Sequence, residues 1–206
     1  MPETAVGSRL HLIGYERFTT STKFLCAVED DISVMRWGWG QKPDTHRHPG
    51  IRTGEQLRAA IAQPCAACLI SCHGGTDDSN GEAWLSQDPK ANIFLDVQKV
   101  EEVGATGLVI LDACKARQIL SELAKRTKRG TVLVGIDSEN TLARDSVHLL
   151  ADILRELYYP AKPDLSPPAV MGAVDRVRAR ITARNDLVSD EKDQAPGLFA
   201  VTGCAD

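Results

Sequence analysis

Residues 107–120 read GLVILDACKARQIL. Four consecutive aliphatic side chains, Leu108 to Leu111, follow a glycine and run into Asp112-Ala113-Cys114. A short, continuously apolar run of this kind predicts a strand buried on both faces. Beyond it, Ala116, Ile119, Leu120 and Leu123 recur at helical spacing, so a helix begins just after Cys114. The junction thus puts a thiol at the carboxyl end of a buried strand. In open α/β sheets that is where chemistry sits.

The same grammar repeats on either side. CLIS (68–71) is a second apolar run and feeds Cys72-His73-Gly74-Gly75; TVLVGID (131–137) is a third. Thr53 and Gln56 fit a capping box for a short helix through Ala62. DVQKVEEV (96–103) reads as a helix or turn. Ala143, Val147, Leu150, Leu154 and Leu157 form one amphipathic stripe. Val170, Ala173, Val174, Val177 and Ile181 form another, behind Ser166 as N-cap and Pro167 in the first turn. The second helix carries Arg176, Arg178, Arg180 and Arg184 on its other side, a solvated face. GLFAVTG (197–203) supplies a last strand. Nearer the start, KFLCAVE (23–29) and ISVMRW (32–37) read as short strands. Residues 38–52, with Trp39 and His46-Arg47-His48, read as a loop. Strands alternating with helices predict an α/β fold: a mostly parallel sheet with helices on both faces.

Composition bounds the function. The chain has 206 residues, 43% hydrophobic and 5% aromatic, with a net charge of −4. No basic footprint points to nucleic acid or a membrane surface. No apolar run nears the ~20 residues of a membrane helix. The segment MPETAVGSRLHLIGYERF lacks the basic start and apolar stretch of a signal peptide, so a cytoplasmic location is expected. In a reducing cytosol, the six cysteines are expected to be core thiols, metal ligands or nucleophiles.

Two predicted strands end in reactive residues, His73 and Cys114. A cysteine attacks a carbonyl as thiolate, and its free pKa of about 8.5 leaves little thiolate at neutral pH. An imidazole can take the proton and later return it to a leaving amine. A helix starting after Cys114 would lower the thiol pKa through its dipole. The flexible Gly74-Gly75 pair lets backbone N–H groups turn towards a substrate, so the Gly74 and Cys114 amides are the candidate oxyanion donors. No third side chain that orients the imidazole is evident. A competing reading gathers Cys65, Cys68, Cys72 and His73 into a zinc site. C-x2-C spacing favours it, but no second ligand pair completes the set, and strand alternation turns Cys68 and Cys72 towards the face of Ile70.

LISCHGG (69–75) and LVILDACKA (108–116) resemble the His-Gly and D/S-A-C motifs of the caspase-like cysteine peptidases. Their separation of 41 residues from His73 to Cys114 is similar too. Within that group the chain looks most like the bacterial CHAT proteins, which are related to separase and metacaspases. The stretch from Gly130 to Tyr158 and the helix over 168–184 resemble later CHAT elements, so the resemblance spans roughly residues 53 to 203. It implies a caspase-like three-layer sandwich. The chain is then a single domain over 1–206, with 1–52 unassigned. It implies peptide-bond cleavage by a Cys114–His73 dyad, with no metal or other cofactor in the catalytic step. Asp112, and Asp137 at the end of the next strand, would line a specificity pocket for Arg or Lys. The implied partners are a protein substrate and a regulatory or sensor protein in a bacterial defence or signalling system. Two alternatives remain open: an inactive caspase-like interaction protein, and a zinc-binding or flavodoxin-like module.

Overall fold

The computed structural model describes residues 9–14, 45–48, 51–86, 94–137, 143–158, 163–183 and 197–205. The predicted strands at 23–29 and 32–37, Trp37, Trp39 and Arg184 lie outside these residues.

The run from the opening stretch forms strand β7 (Ala105–Asp112), all of it buried except Thr106. Its neighbours are β3 (Cys65–Ser71) and β8 (Val132–Ile136), both parallel to it. β1 (Leu10–Gly14) flanks β3, and β2 (Thr45–Arg47) flanks β1, again in parallel. β9 (Leu198–Thr202) closes the other side antiparallel to β8. Among the described residues this sheet has the order β2-β1-β3-β7-β8-β9. A second, antiparallel sheet of β4 (His73–Thr76), β5 (Ala83–Ser86) and β6 (Phe94–Asp96) stands beside it.

Alternation along each strand divides the core in two. Leu69, Leu108, Ile110, Val132 and Val134 face one way, onto helices α3 (Ala143–Tyr158) and α4 (Pro167–Ala183). Cys68, Ile70, Val109, Leu111 and Leu133 face the other way. There they meet α1 (Gly54–Ile61), α2 (Ala116–Ala124) and the inner side chains Ala83, Leu85 and Leu95 of the small sheet. Thr53 and Gln56 make the predicted capping box of α1, and the predicted stripe of α4 is wholly buried. The expected mostly parallel sheet with helices on both faces is the one observed. Among the described residues, no helix is long and apolar enough to cross a membrane.

Two local expectations are corrected, for the arginines of α4 and the loop over 38–52, and the helix or turn expected over 96–103 is met. The arginines of α4 are not merely solvated: Arg176 and Arg180 pair with Glu156 at 3.0 and 2.6 Å, and Arg180 also with Asp152 at 3.0 Å, across the α3–α4 seam. Residues 96–103 hold the end of β6 and a 3-10 turn (Val97–Lys99), with Asp96 as its N-cap. The loop over 38–52 contains β2, and LHLIG at 10–14 is a buried strand. Neither strand has enough residues to show a period in sequence; pairing with a neighbour creates both. Their pairing also assembles the histidines. His11 and His48 are buried, with His48 Nε2 3.0 Å from His11 Nδ1, and the His46 ring lies 4.7 Å from that of His48.

Burial, reinforced by positive charge on His11 and His46, lowers the His48 pKa from 6.5 to about 4. Between those values the unfolded chain binds more protons than the folded one, so stability falls as pH drops from about 6.5 towards 4. Urea unfolding across that window is expected to show the decline, and His48→Gln to flatten it.

Candidate active site

β3 and β7 run side by side and end together, with Ser71 and Asp112 as register partners. Ser71 Oγ donates to Asp112 Oδ2 at 2.9 Å, and the Cys72 amide donates to the Asp112 carbonyl at 3.2 Å. Two residues past Ser71 stands His73; two residues past Asp112 stands Cys114. The parallel register therefore delivers both candidate residues to one edge of the sheet.

Beyond this point the chains part. After Ser71 the backbone enters β4, an outer strand of the small sheet. After Asp112 it turns sharply into α2. Lys115, the residue after Cys114, has φ 56 and ψ 32, the one non-glycine left-handed residue among those described. That conformation costs about 1–2 kcal/mol for an L-residue. Strain of this kind gathers where geometry serves a site. It leaves Cys114 at the amino end of α2, where Lys115 makes no side-chain cap and the first turn holds no acidic residue. The exposed amide ends of that turn favour negative charge nearby.

Gly74 closes the arrangement. A Cβ on it would sit 2.5 Å from the Cys114 carbonyl oxygen, 2.6 Å from Ile119 Cδ1 and 3.0 Å from the Ala113 Cβ. Only a residue without a side chain lets β4 lie this close to the Cys114 backbone. The His73-Gly74 pair and Cys114 are thus brought together through their backbones. By strand alternation His73 shares the opposite face of β4 with Gly75. His73 and Cys114 are both partly exposed.

Asp112 and Asp137, the predicted readers of a basic side chain, lie at the carboxyl ends of adjacent strands but are occupied. Asp112 is 4% exposed and bound to Ser71. Asp137 accepts from Arg117 Nε at 2.6 Å, and the Arg117 guanidinium in turn lies 4.5 Å from the Phe199 ring centre. Ser71 was missed in sequence, although it stands to His73 as Asp112 stands to Cys114.

The cysteines sort by environment. Cys65, Cys68 and Cys72 belong to the apolar core on the α1/α2 side. Burial, and then the Asp112 carboxylate, raise the Cys72 thiol far above its ordinary range. A hydrogen bond with the Cys65 sulfur, and then burial, raise that of Cys68. The zinc reading finds no support in the residues: among those described, no three His, Cys, Asp or Glu side chains are grouped to hold a metal ion.

No protein-family model and no curated protein matches the chain. Among solved structures it is similar to the Arg-specific cysteine proteinase gingipain R (RgpB), with a TM-score of 0.51 at 12% identity. That match covers 96% of this chain and 46% of the other. A complex of the pro- and mature domains of Porphyromonas gingivalis RgpB matches at 11% identity with a TM-score of 0.45, over 96% and 47%. The first likeness shows the fold, a caspase-like α/β sandwich. The chain spans less than half the length of these structures.

Two outcomes are expected. Gly74→Ala lowers stability by about 1–3 kcal/mol in urea titrations, because the rigid Cys114 backbone leaves the methyl no room. Iodoacetamide labelling of native protein, mapped by mass spectrometry, modifies Cys114 and the exposed Cys204 but not Cys65, Cys68 or Cys72 until the chain unfolds.

Proposed function

We propose that the chain is a cysteine endopeptidase in which Cys114 and His73 form the catalytic dyad. The single observation that carries this reading is the contact of Gly74 with the Cys114 carbonyl, which joins two motifs 41 residues apart at one sheet edge. In this reading the imidazole turns around the outer edge of β4 towards the sulfur. His73 takes the thiol proton, and Cys114 Sγ bonds to the substrate carbonyl carbon. The oxygen becomes an oxyanion, held by the Gly74 and Cys114 amides. One such donor is worth about 3–4 kcal/mol of barrier in a well-studied hydrolase. The C–N bond then breaks as His73 protonates the leaving amine. Water, deprotonated by His73, hydrolyses the thioester and restores the thiol.

The preferred substrate is a protein cut after a basic residue. Asp112 contributes charge from beneath the site, and Asp137 contributes from the neighbouring strand end after exchanging its Arg117 partner. The gingipain R structure is named for an Arg-specific enzyme, which agrees with this preference. The motif resemblance, over roughly residues 53 to 203, supports kinship with the CHAT group and a single catalytic domain over 1–206 in which 1–52 stay unassigned. It also supports control by a regulatory or sensor partner in bacterial defence or signalling.

The test is cleavage of fluorogenic peptides carrying Arg, Lys, Asp, Leu or Met before the scissile bond. Arg and Lys peptides are expected to be cut, with loss of at least 10³-fold (an order of magnitude drawn from triad knockouts) in Cys114→Ala and His73→Ala. Turnover surviving both substitutions removes the dyad from the proposal.

A further inference from the structure

The small sheet that carries His73 has two unlike faces. Gly74, Ala83, Leu85 and Leu95 turn inward to the core. The pairings His73↔Ser86, Gly75↔Trp84 and Trp84↔Asp96 put His73, Gly75, Trp84 and Asp96 together on the other face. There the Trp84 ring lies directly on the Gly75 backbone: a Cβ on Gly75 would collide with its Cζ2 and Cε2 atoms. Trp84 also lines a cavity of about 240 Å³, together with Asp77, Glu82, Ala83 and Asp96. None of these lining residues is basic. The aromatic wall is fixed by packing, and the turn is fixed as well. Asp77 Oδ1 receives the Ser79 amide at 2.8 Å and its hydroxyl at 2.6 Å, and these bonds hold the Asp77 carboxyl below its usual range. Among the described residues Asp96 pairs with Lys99 at 3.6 Å, whose side chain is 72% exposed and easily displaced.

We propose that this cavity is a substrate subsite that takes a cationic side chain, arginine above all, against the face of Trp84 and the carboxylate of Asp96. The proposal rests on the peptidase reading and extends it to a second contact. A planar guanidinium stacks on an indole while pairing with a carboxylate, a combination lysine matches less well. The pair Gly75–Trp84 lies two residues along β4 from His73, about 7 Å at strand rise. That is the i to i+2 repeat of an extended peptide. A substrate laid along β4 therefore places in the cavity the side chain two positions from the one at the dyad. Neither Asp112 nor Asp137 is needed for this contact.

The test uses the full chain carrying Cys114→Ala, so that binding is read without turnover. Its probes are acetylated, amidated pentapeptides with a central arginine or its neutral isostere citrulline. The signal is the Trp84 indole N–H resonance, assigned by its loss in Trp84→Phe. The arginine peptide is expected to shift this resonance to saturation and to bind at least 10-fold more tightly than the citrulline peptide. Asp96→Asn, which keeps a capping side chain at the 3-10 turn, is expected to bring arginine down to the citrulline affinity. Glu82→Gln, on the exposed turn, is a second neutralisation expected to act in the same direction. Equal affinity for the two peptides, an unmoved Trp84 resonance, or unchanged arginine preference in both carboxylate variants would overturn the subsite. Because this readout needs no cleavage, an inactive wild type sinks the peptidase reading and leaves the binding result to be judged by itself.

Discussion

A buried hydrogen bond between register partners, Ser71 Oγ to Asp112 Oδ2 at 2.9 Å, is the point from which the site is measured. A carboxylate that is 4% exposed must be satisfied by its surroundings or neutralised. Here a serine on the adjacent strand meets part of that demand, which ties the ends of β3 and β7 at one register. A one-residue slip in a sheet turns every side chain to the other face. The opposite end of the same pair is less regular, with a register shift between Cys65 and Ala67. The pairing is regular where His73 and Cys114 follow.

Packing then converts register into proximity. Gly74 presses on Ala113, Cys114 and Ile119, so the small sheet rests on the first turns of α2. Leu85 and Leu95 anchor the rest of that sheet in the same core. The other face of the main sheet is an aliphatic layer with α3 and α4, tied at its rim by Arg176 and Arg180. Exposed pairs of this kind contribute little singly, generally under about 1 kcal/mol, so that layer depends on its apolar contacts. One side of the molecule is thus an aliphatic layer, and the other carries the elements that hold His73 and Cys114.

Electrostatics separates thiols that sequence sets side by side. Cys72 adjoins His73 in the chain, yet it is buried and faces the Asp112 charge, so it stays a neutral thiol. Cys114 is partly exposed at the amino end of α2, behind a strained Lys115. The difference comes from which way each backbone leaves its strand.

Much of this was legible in the sequence. Runs such as Leu108–Leu111 and the stripe from Val170 to Ile181 declare their elements because burial demands apolar side chains at a fixed period. The order of strands and helices, the caspase-like sandwich and the candidacy of His73 and Cys114 follow from those patterns and two short motifs. The strands at 10–14 and 45–47 were not legible, since so few residues show no period and pairing alone stabilises them. The histidine cluster, the Ser71–Asp112 bond, the Asp137–Arg117 pair and the Trp84 cavity were hidden for a related reason. Each joins residues distant in sequence, or on different strands, whose meeting depends on register. The sequence by itself determined which segments are buried and which residues are capable of chemistry. The tertiary structure decided which of them meet, because contacts across a sheet are set by strand order and pairing, and a linear pattern carries neither.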